Sequence, residues 1–516
     1  MLKLIELENF KAFGKRATIP LAPITLIYGQ NSSGKSSILQ ALNLLKQSIE
    51  SRDEKTLLIL RTENGLSDLG SFQDVIFDHD LSRILKIRID VDIPEKSSGF
   101  FIKGANSCGL EFGFSRKRSE EEITIDYLDL YRNDIAEPIL SFEKTDDYKI
   151  DEFPDHIWPD TKCISFAKCT RISEESTIWQ SIYDLRFGNK NKLLKDIRDR
   201  IGWFEEKFFQ IKDKSLRQLK LAAESDLNFY SKNHNLTDFI NYTKPVEIKR
   251  ILVMNKFLPH SAMHLENTFD WFPFGNRRNA ADISLPLLAV AKRIKTFLGA
   301  LLPLGPFRKP PTRWYVFSGT TPTDVGYQGH LLPDLLFRNK DILIETNKWL
   351  GKLEIGYKIN LRQLSDKNSD LFELRLFDIR RPIPVEVGLT DVGFGISQIL
   401  PLIVQSLAAS DQIITVEQPE VHIHPRLQAD LGDLLIEATR EPRKNQFIIE
   451  THSEHLALRL QRRVREKSLP PDQVSIIYVG RGPEGSFAKH MQLDENGDFL
   501  EEFPGGFFPE RIQEVI

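Results

Sequence analysis

The sequence predicts an α/β fold: a mixed sheet flanked by helices, an antiparallel β subdomain, and a largely helical insertion. Three observations carry this expectation. An apolar stretch at 24–28 runs straight into a glycine loop that opens an amphipathic helix. Period-two stretches dominate residues 85–131. From Asp391 onward, short apolar segments alternate with helical spacing. A chain of 516 residues exceeds one core. The expected division is an N-terminal lobe with the glycine loop and β subdomain over 1–180, a helical insertion over 181–300, and a C-terminal lobe over 301–516.

Taken in order, residues 2–10 alternate apolar and polar as a half-buried strand does. After the glycine loop, Ile38, Leu39, Leu42 and Leu45 recur at helical spacing. Stretches 85–93, 109–114 and 123–131 read as strands, and 190–229 turns helical and highly charged. Residues 303–319 are rich in Pro and Gly and mark a return to the core. Strands are expected at 355–361 and 371–378. Sustained heptads are missing from the middle, so no long coiled-coil arm is expected.

Hydrophobic content of 41% and charged content of 28% are those of an ordinary globular protein. A net charge of −4 does not advertise nucleic-acid binding, although a local basic face is compatible with it. Cys108, Cys163 and Cys169 lack metal-ligand spacing and read as free thiols of a reducing compartment. The first ten residues contain no signal-type apolar core, and no apolar run reaches membrane-spanning length. The expectation is a cytoplasmic protein without a membrane partner.

Gly29-Gln30-Asn31-Ser32-Ser33-Gly34-Lys35-Ser36, followed by Ser37, fits the P-loop pattern at every fixed position. Glycines let the backbone wrap a phosphate and turn its N–H groups inward, and the helix N-terminus adds partial positive charge. Lys35 is expected on the β- and γ-phosphates, and the Ser36 hydroxyl on Mg²⁺. ATP and Mg²⁺ are the expected cofactors.

Three further motifs lie in the C-terminal region. The apolar stretch 413–416 ends in Glu417-Gln418-Pro419-Glu420, which places an acid to hold Mg²⁺ across from the P-loop. Upstream, Gly393-Phe394-Gly395-Ile396-Ser397-Gln398 opens an apolar helix and forms a second anion-binding cap. Downstream, 447–449 ends in Glu450-Thr451-His452-Ser453. His422 and His424 lie two apart on a loop with no cysteine nearby, which argues against zinc.

The order of P-loop, glycine–serine signature, strand-end acid and histidine resembles the ABC/SMC-like P-loop ATPases. Glu417-Gln418-Pro419-Glu420, His422-Ile423-His424-Pro425 and Thr451-His452-Ser453 resemble their OLD-like branch, which includes ATPase subunits of antiphage defence systems such as the Septu type. The stretch 503–508 is similar to those proteins too. The resemblance implies an ABC-type head acting as an ATP-gated switch. It makes Glu417 the Mg²⁺-side carboxylate, and Gly393, Gly395, Ser397 and Gln398 the signature that meets the γ-phosphate of a second copy. His424 and Pro425 fall in the D-loop region, and His452 is the switch histidine. Gln73 sits where a metal-side Q-loop glutamine falls, although a surface glutamine explains it equally well. The implied assembly is a homodimer or higher oligomer with composite ATP sites.

One position departs from the family. Where a glutamate usually polarises the attacking water, this chain has Gln418, which orients water but does not take its proton. Glu420 is the alternative base. The sequence ends too soon after His452 for the Toprim nuclease domain of OLD proteins, so an effector, a nuclease or toxin, is expected on a separate chain. The basic segment 190–220, with Trp203, Phe204, Phe208 and Phe209, reads either as a DNA-backbone contact or as an amphipathic helix with an aromatic core stripe. The cluster at Arg462, Arg463 and Arg465 carries the same ambiguity. A DNA-repair or chromosome-maintenance ATPase and an ATP-binding scaffold with little turnover are the alternative functions.

Overall fold

The computed structural model describes residues 1–53, 56–61, 66–93, 106–116, 122–145, 164–172, 250–264, 284–364 and 370–504, with scattered helical residues between 194 and 232. Lys192, Trp203, Phe204, Phe208, Phe209, Cys163 and the stretch 505–508 lie outside the described residues. The chain forms two compact units: residues 1–50, 59–87 and 296–516 in the first, and 51–58 and 88–295 in the second.

The second unit holds an antiparallel sheet. Its strands are β4 (Leu85–Asp92, which begins in the first unit), β5 (Ser107–Ser115), β6 (Thr124–Arg132), β7 (Leu140–Thr145), β8 (Ile164–Ile172), β9 (Arg250–Asn255) and β10 (Leu258–His264), adjacent in that order. The apolar side chains of β5 fill its interior, where the Phe257 ring stands edge-on to Phe112 at 5.3 Å. Cys108 is buried there, and burial pushes its thiol up to about 12, so it stays protonated. β9 and β10 fall in the stretch expected to be helical. Their short run Ile251-Leu252-Val253-Met254 fits a strand or a buried helix equally, and pairing with β8 decides it. The other described residues of 181–300, including α3 (Ser284–Gly299), are largely helical.

The first unit is built on a six-stranded sheet in the order β11 (Leu301–Leu304), β16 (Ile413–Glu417), β17 (Gln446–Glu450), β3 (Ile24–Gly29), β18 (Val474–Gly482) and β19 (Gly485–Met491). All neighbours are parallel except the β18–β19 hairpin. Leu26, Ile449 and Val416 share a core with α6 (Phe394–Ala408), α7 (Pro425–Thr439) and α8 (Glu454–Arg465), while α1 (Lys35–Glu50) packs on β3 and β17. The strands β1 (Leu2–Glu8) and β2 (Ala17–Pro20) form an antiparallel pair. A smaller antiparallel sheet contains β12 (Tyr315–Val316), β13 (Tyr357–Gln363), β14 (Leu371–Asp378) and β15 (Val385–Gly388). The short helix α2 (Phe72–Val75) also belongs to this unit. No helix among the described residues is long and apolar enough to cross a membrane.

Because β16, β17 and β3 are parallel, their C-terminal ends open on one edge of the sheet. In register, Glu417 lies opposite Glu450, and Glu450 opposite Ile27, two residues before Gly29. That edge is where open α/β sheets place ligands.

Candidate active site

The P-loop begins where β3 ends. Gly29 has a φ of 148°, and a Cβ there would lie 2.1 Å from the Val479 carbonyl oxygen, so no other residue fits. Ser32 adopts a left-handed backbone, and the Ser33 N–H closes a turn on the Gln30 carbonyl at 3.2 Å. The β18–β19 hairpin braces the loop from behind: Ser486 Oγ donates to the Ser33 carbonyl at 2.6 Å, and Arg481 Nε to the Ser32 carbonyl at 3.0 Å. Lys35 is only 4% exposed, and its Nζ donates to the carbonyls of Gly29 (3.0 Å) and Gln30 (2.9 Å). Burial pulls its pKa below the ordinary lysine value, against the opposing pull of Glu450 and Glu420.

Two acids stand side by side beyond the loop. Ser36 Oγ donates to Glu450 Oε1 at 2.9 Å, while Glu450 Oε2 is buried without a hydrogen-bond partner. Glu417 Oε1 accepts the Tyr327 hydroxyl at 3.2 Å. Burial, then the charge of Glu450, pushes Glu417 up to about 7. Burial also raises Glu450, against the Ser36 hydrogen bond and the Lys35 charge. Each carboxylate thus gains from a cation beside it. Hard oxygen donors, one of them orphaned, fit Mg²⁺, which binds through one or two carboxylates plus substrate phosphates.

The loops after β16 and β17 are tied together. Gln418 has a φ of 45°, and its N–H donates to the Glu450 carbonyl at 2.8 Å. Arg308, 4% exposed, holds the carbonyls of Glu417 (3.1 Å) and Gln418 (3.3 Å), and burial lowers its pKa to about 10. Glu420 accepts from Thr451 Oγ1 at 2.6 Å and from the His452 N–H at 2.7 Å, so both its oxygens are engaged. Partial burial, then the Lys35 charge, lowers the His452 pKa, which leaves the ring neutral at pH 7.

These groups surround a cavity of about 470 Å³. The P-loop side of its wall is Asn31, Ser32, Gly34, Lys35, Ser36 and Ser37. Gln418, Glu450 and His452 face them, and Lys11 and Ala12 complete the lining. Gly29, Ser33, Glu417 and Glu420 are not among the lining residues. The structure does not bring Gln73 to the cavity lining: its side chain is exposed in α2, and its carbonyl lies 2.7 Å from His79 Nδ1.

The signature residues form a separate cluster. Gly393 precedes α6, Ser397 is buried with its Oγ on the Phe394 carbonyl at 2.7 Å, and Gln398 is buried with Nε2 unpaired. A Cβ on Gly395 would lie 2.4 Å from the His422 carbonyl oxygen, so the signature packs directly on the loop that follows Glu420. Phe394, 48% exposed, meets the His422 ring edge-on at 5.2 Å. His424 caps α7 by accepting from the Arg426 N–H at 3.2 Å, a structural role. None of Gly393, Gly395, Ser397 and Gln398 lines the cavity of its own chain.

Sequence reasoning left Glu450, Lys11, Arg308, Tyr327, Arg481 and Ser486 without roles. Only Glu450 carried a signal, as an acid closing an apolar strand beside the histidine motif. The basic cluster in α8 is engaged in ion pairs: Arg462 with Glu466 (2.7 Å), Arg463 with Asp433 (2.6 Å) and Arg465 with Asp498 (2.9 Å). Lys195 and Arg198 are exposed.

A family model described as an AAA ATPase domain matches residues 1–268 and 337–457. No curated protein matches the chain. Similar solved structures include the Smc head domain of Pyrococcus furiosus with an extended coiled coil, bound to the C-terminal domain of ScpA. It is 12% identical, with 95% of this chain and 96% of that chain covered and a TM-score of 0.37. The SMC head domain from Thermotoga maritima is 10% identical, covering 95% and 99%, with a TM-score of 0.36. The Smc head domain with coiled coil and joint of Pyrococcus yayanosii is 11% identical, covering 96% and 98%, with a TM-score of 0.36. Likenesses this distant carry no functional weight.

Proposed function

Because the chain belongs to the AAA ATPase domain family, we propose that it binds ATP with Mg²⁺ in the 470 Å³ cavity and hydrolyses it slowly. The observation that carries this is one wall shared by Lys35, Ser36, Gln418, Glu450 and His452 at the ends of parallel strands. Lys35 and the P-loop amides take the phosphates. Ser36 and the strand-end acids hold the metal, which supplies charge neutralisation at the phosphoryl group. Gln418 orients water without accepting its proton, so turnover is slow and the ATP-bound state long-lived.

On this reading the chain is an ATP-gated homodimer switch of the ABC/SMC-like class and its OLD-like branch. It acts as the sensor or regulatory subunit of an antiphage defence system whose effector, a nuclease or toxin, is a separate protein. Support for the branch comes from the Glu417–Glu420, His422–Pro425 and Thr451–Ser453 motifs. A scaffold with little turnover is the second reading, favoured by Gln418 together with the engagement of both Glu420 oxygens. The ion-paired state of Arg462, Arg463 and Arg465 disfavours direct DNA binding through α8.

The test is nucleotide titration and phosphate release for the wild type and Lys35→Ala. Removing a charge-assisted hydrogen bond to phosphate is expected to weaken ATP binding about tenfold to a hundredfold. Unchanged titration and unchanged phosphate release overturn the assignment.

A further inference from the structure

We infer that Arg308, in the loop after β11, is a positioning residue that holds the turn bringing Gln418 to the cavity wall. The inference rests on the ATPase reading and names what fixes the residue that orients water. Arg308 lies between the two stretches that the AAA ATPase domain model matches, and it does not line the cavity itself.

The first argument is where Arg308 places its hydrogen bonds. A buried charge is costly unless it is paired, and a carboxylate is the strongest partner for a guanidinium. Arg308 instead faces backbone. Its Nη2 donates to the Glu417 carbonyl at 3.1 Å, and its Nη1 to the carbonyls of Gln418 (3.3 Å) and Pro306 (3.2 Å). The charges of Glu420 and Glu417 offset part of the burial cost. The planar fork therefore grips consecutive peptide carbonyls of one turn, a geometry that a point-like ammonium does not reproduce.

That grip falls where the chain is strained. Gln418 has a φ of 45° and stands directly before Pro419, whose ring restricts the residue preceding it. Its N–H donates to the Glu450 carbonyl at 2.8 Å, so β17 pins the turn from one side and Arg308 from the other. Without the fork, a left-handed residue loses part of what over-determines it and relaxes toward commoner conformations.

The second argument is that Arg308 is itself braced. On either side of it, the Gly305 N–H donates to the Tyr327 carbonyl at 2.9 Å, and the Lys309 N–H to the Gln328 carbonyl at 2.8 Å. Residues 325–329 rest in turn on α6. The Val325 N–H donates to Gln405 Oε1 at 2.9 Å, and a Cβ on Gly329 would lie 2.8 Å from the Pro401 ring. The guanidinium is thus presented from a fixed base, as positioning a neighbour requires.

The experiment is a double-mutant cycle on phosphate release at saturating ATP, with nucleotide affinity measured separately on the full chain. Arg308→Lys keeps the charge and loses the fork. It is expected to lower turnover about tenfold while ATP affinity stays within about threefold. Gln418→Ala is expected to lower turnover as well. A residue that acts through Gln418 has nothing to position once that side chain is gone. Adding Arg308→Lys to Gln418→Ala is therefore expected to change turnover less than about threefold. A larger further loss, or wild-type turnover in either single variant, overturns the inference. If Arg308→Lys binds no nucleotide, Arg308→Gln is read by the same thresholds. If neither binds, Arg308 holds the fold and not the turn, and the inference falls. A wild-type chain that releases no phosphate is a separate failure and removes the hydrolytic reading itself.

Discussion

Gln418 occupies a left-handed backbone conformation that a side chain other than glycine or asparagine rarely adopts, at a cost of about 1 kcal/mol or more. Its N–H on the Glu450 carbonyl and the Arg308 guanidinium on its own carbonyl hold it there. The consequence is a backbone held in place where Gln418 lines the same cavity as Lys35 and Ser36. Glu420, two residues on, has both oxygens engaged by Thr451 and His452 and is the poorer candidate for a base. Gln418→Glu is therefore expected to raise phosphate release per subunit about tenfold or more, short of the roughly 10²–10⁴-fold that a fully positioned general base contributes. Glu420→Gln is expected to leave slow turnover in place while loosening the loop that carries His452. If instead Gln418→Glu is inactive and Glu420→Gln abolishes phosphate release, Glu420 is the base and Gln418 only a water ligand.

Secondary-structure elements explain which of these residues a sequence reveals. The P-loop is legible because its fixed spacing sits between an apolar strand and an amphipathic helix, all within 27 consecutive residues of β3 and α1. Glu417 and His452 are legible because each closes or follows a short apolar strand. Strand adjacency is not written in local periodicity: that β17 lies between β16 and β3 is a long-range pairing, and Glu450 draws its place from it. The Ser486 and Arg481 contacts that brace the P-loop join opposite ends of the chain for the same reason. β9 and β10 were illegible as strands because a short apolar run has no period of its own. The signature cap, in contrast, depends on one close approach between elements. A Cβ at Gly395 meets the His422 carbonyl oxygen at 2.4 Å, and backbone on the far side does not yield as a flexible side chain does. Gly395→Ala is expected to destabilise the protein by about 1–3 kcal/mol, visible as a melting temperature several degrees lower. An unchanged melting temperature means that the loop after Glu420 shifts freely and that its contact with the signature is loose.

At the scale of the molecule, the signature and the cavity belong to the same compact unit, yet Ser397 is buried on the Phe394 carbonyl and absent from the cavity wall. Within one chain, then, a γ-phosphate bound at Lys35 has no signature partner in that wall. A second copy supplies it on the composite-site reading, with half-exposed Phe394 beside the signature on the surface that the copy would meet. Two-fold symmetry makes both sites equivalent, so the proposal is testable by mixing defective subunits. Lys35→Ala and Ser397→Ala are each expected to be inactive alone. A hybrid dimer pairs the intact P-loop of the Ser397→Ala chain with the intact signature of the Lys35→Ala chain, and its other site carries both defects. With equal amounts and free exchange, half the dimers are hybrids and each keeps one complete site, so about a quarter of wild-type phosphate release returns. Subunit exchange is verified first, by mixing differently tagged chains and recovering both on one affinity resin. Exchange without any recovery of phosphate release places the signature in its own chain's reaction and removes the composite site. Recovery that grows with the fraction of hybrids, and disappears when both substitutions are put on one chain and mixed with itself, fixes the switch as a property of the pair.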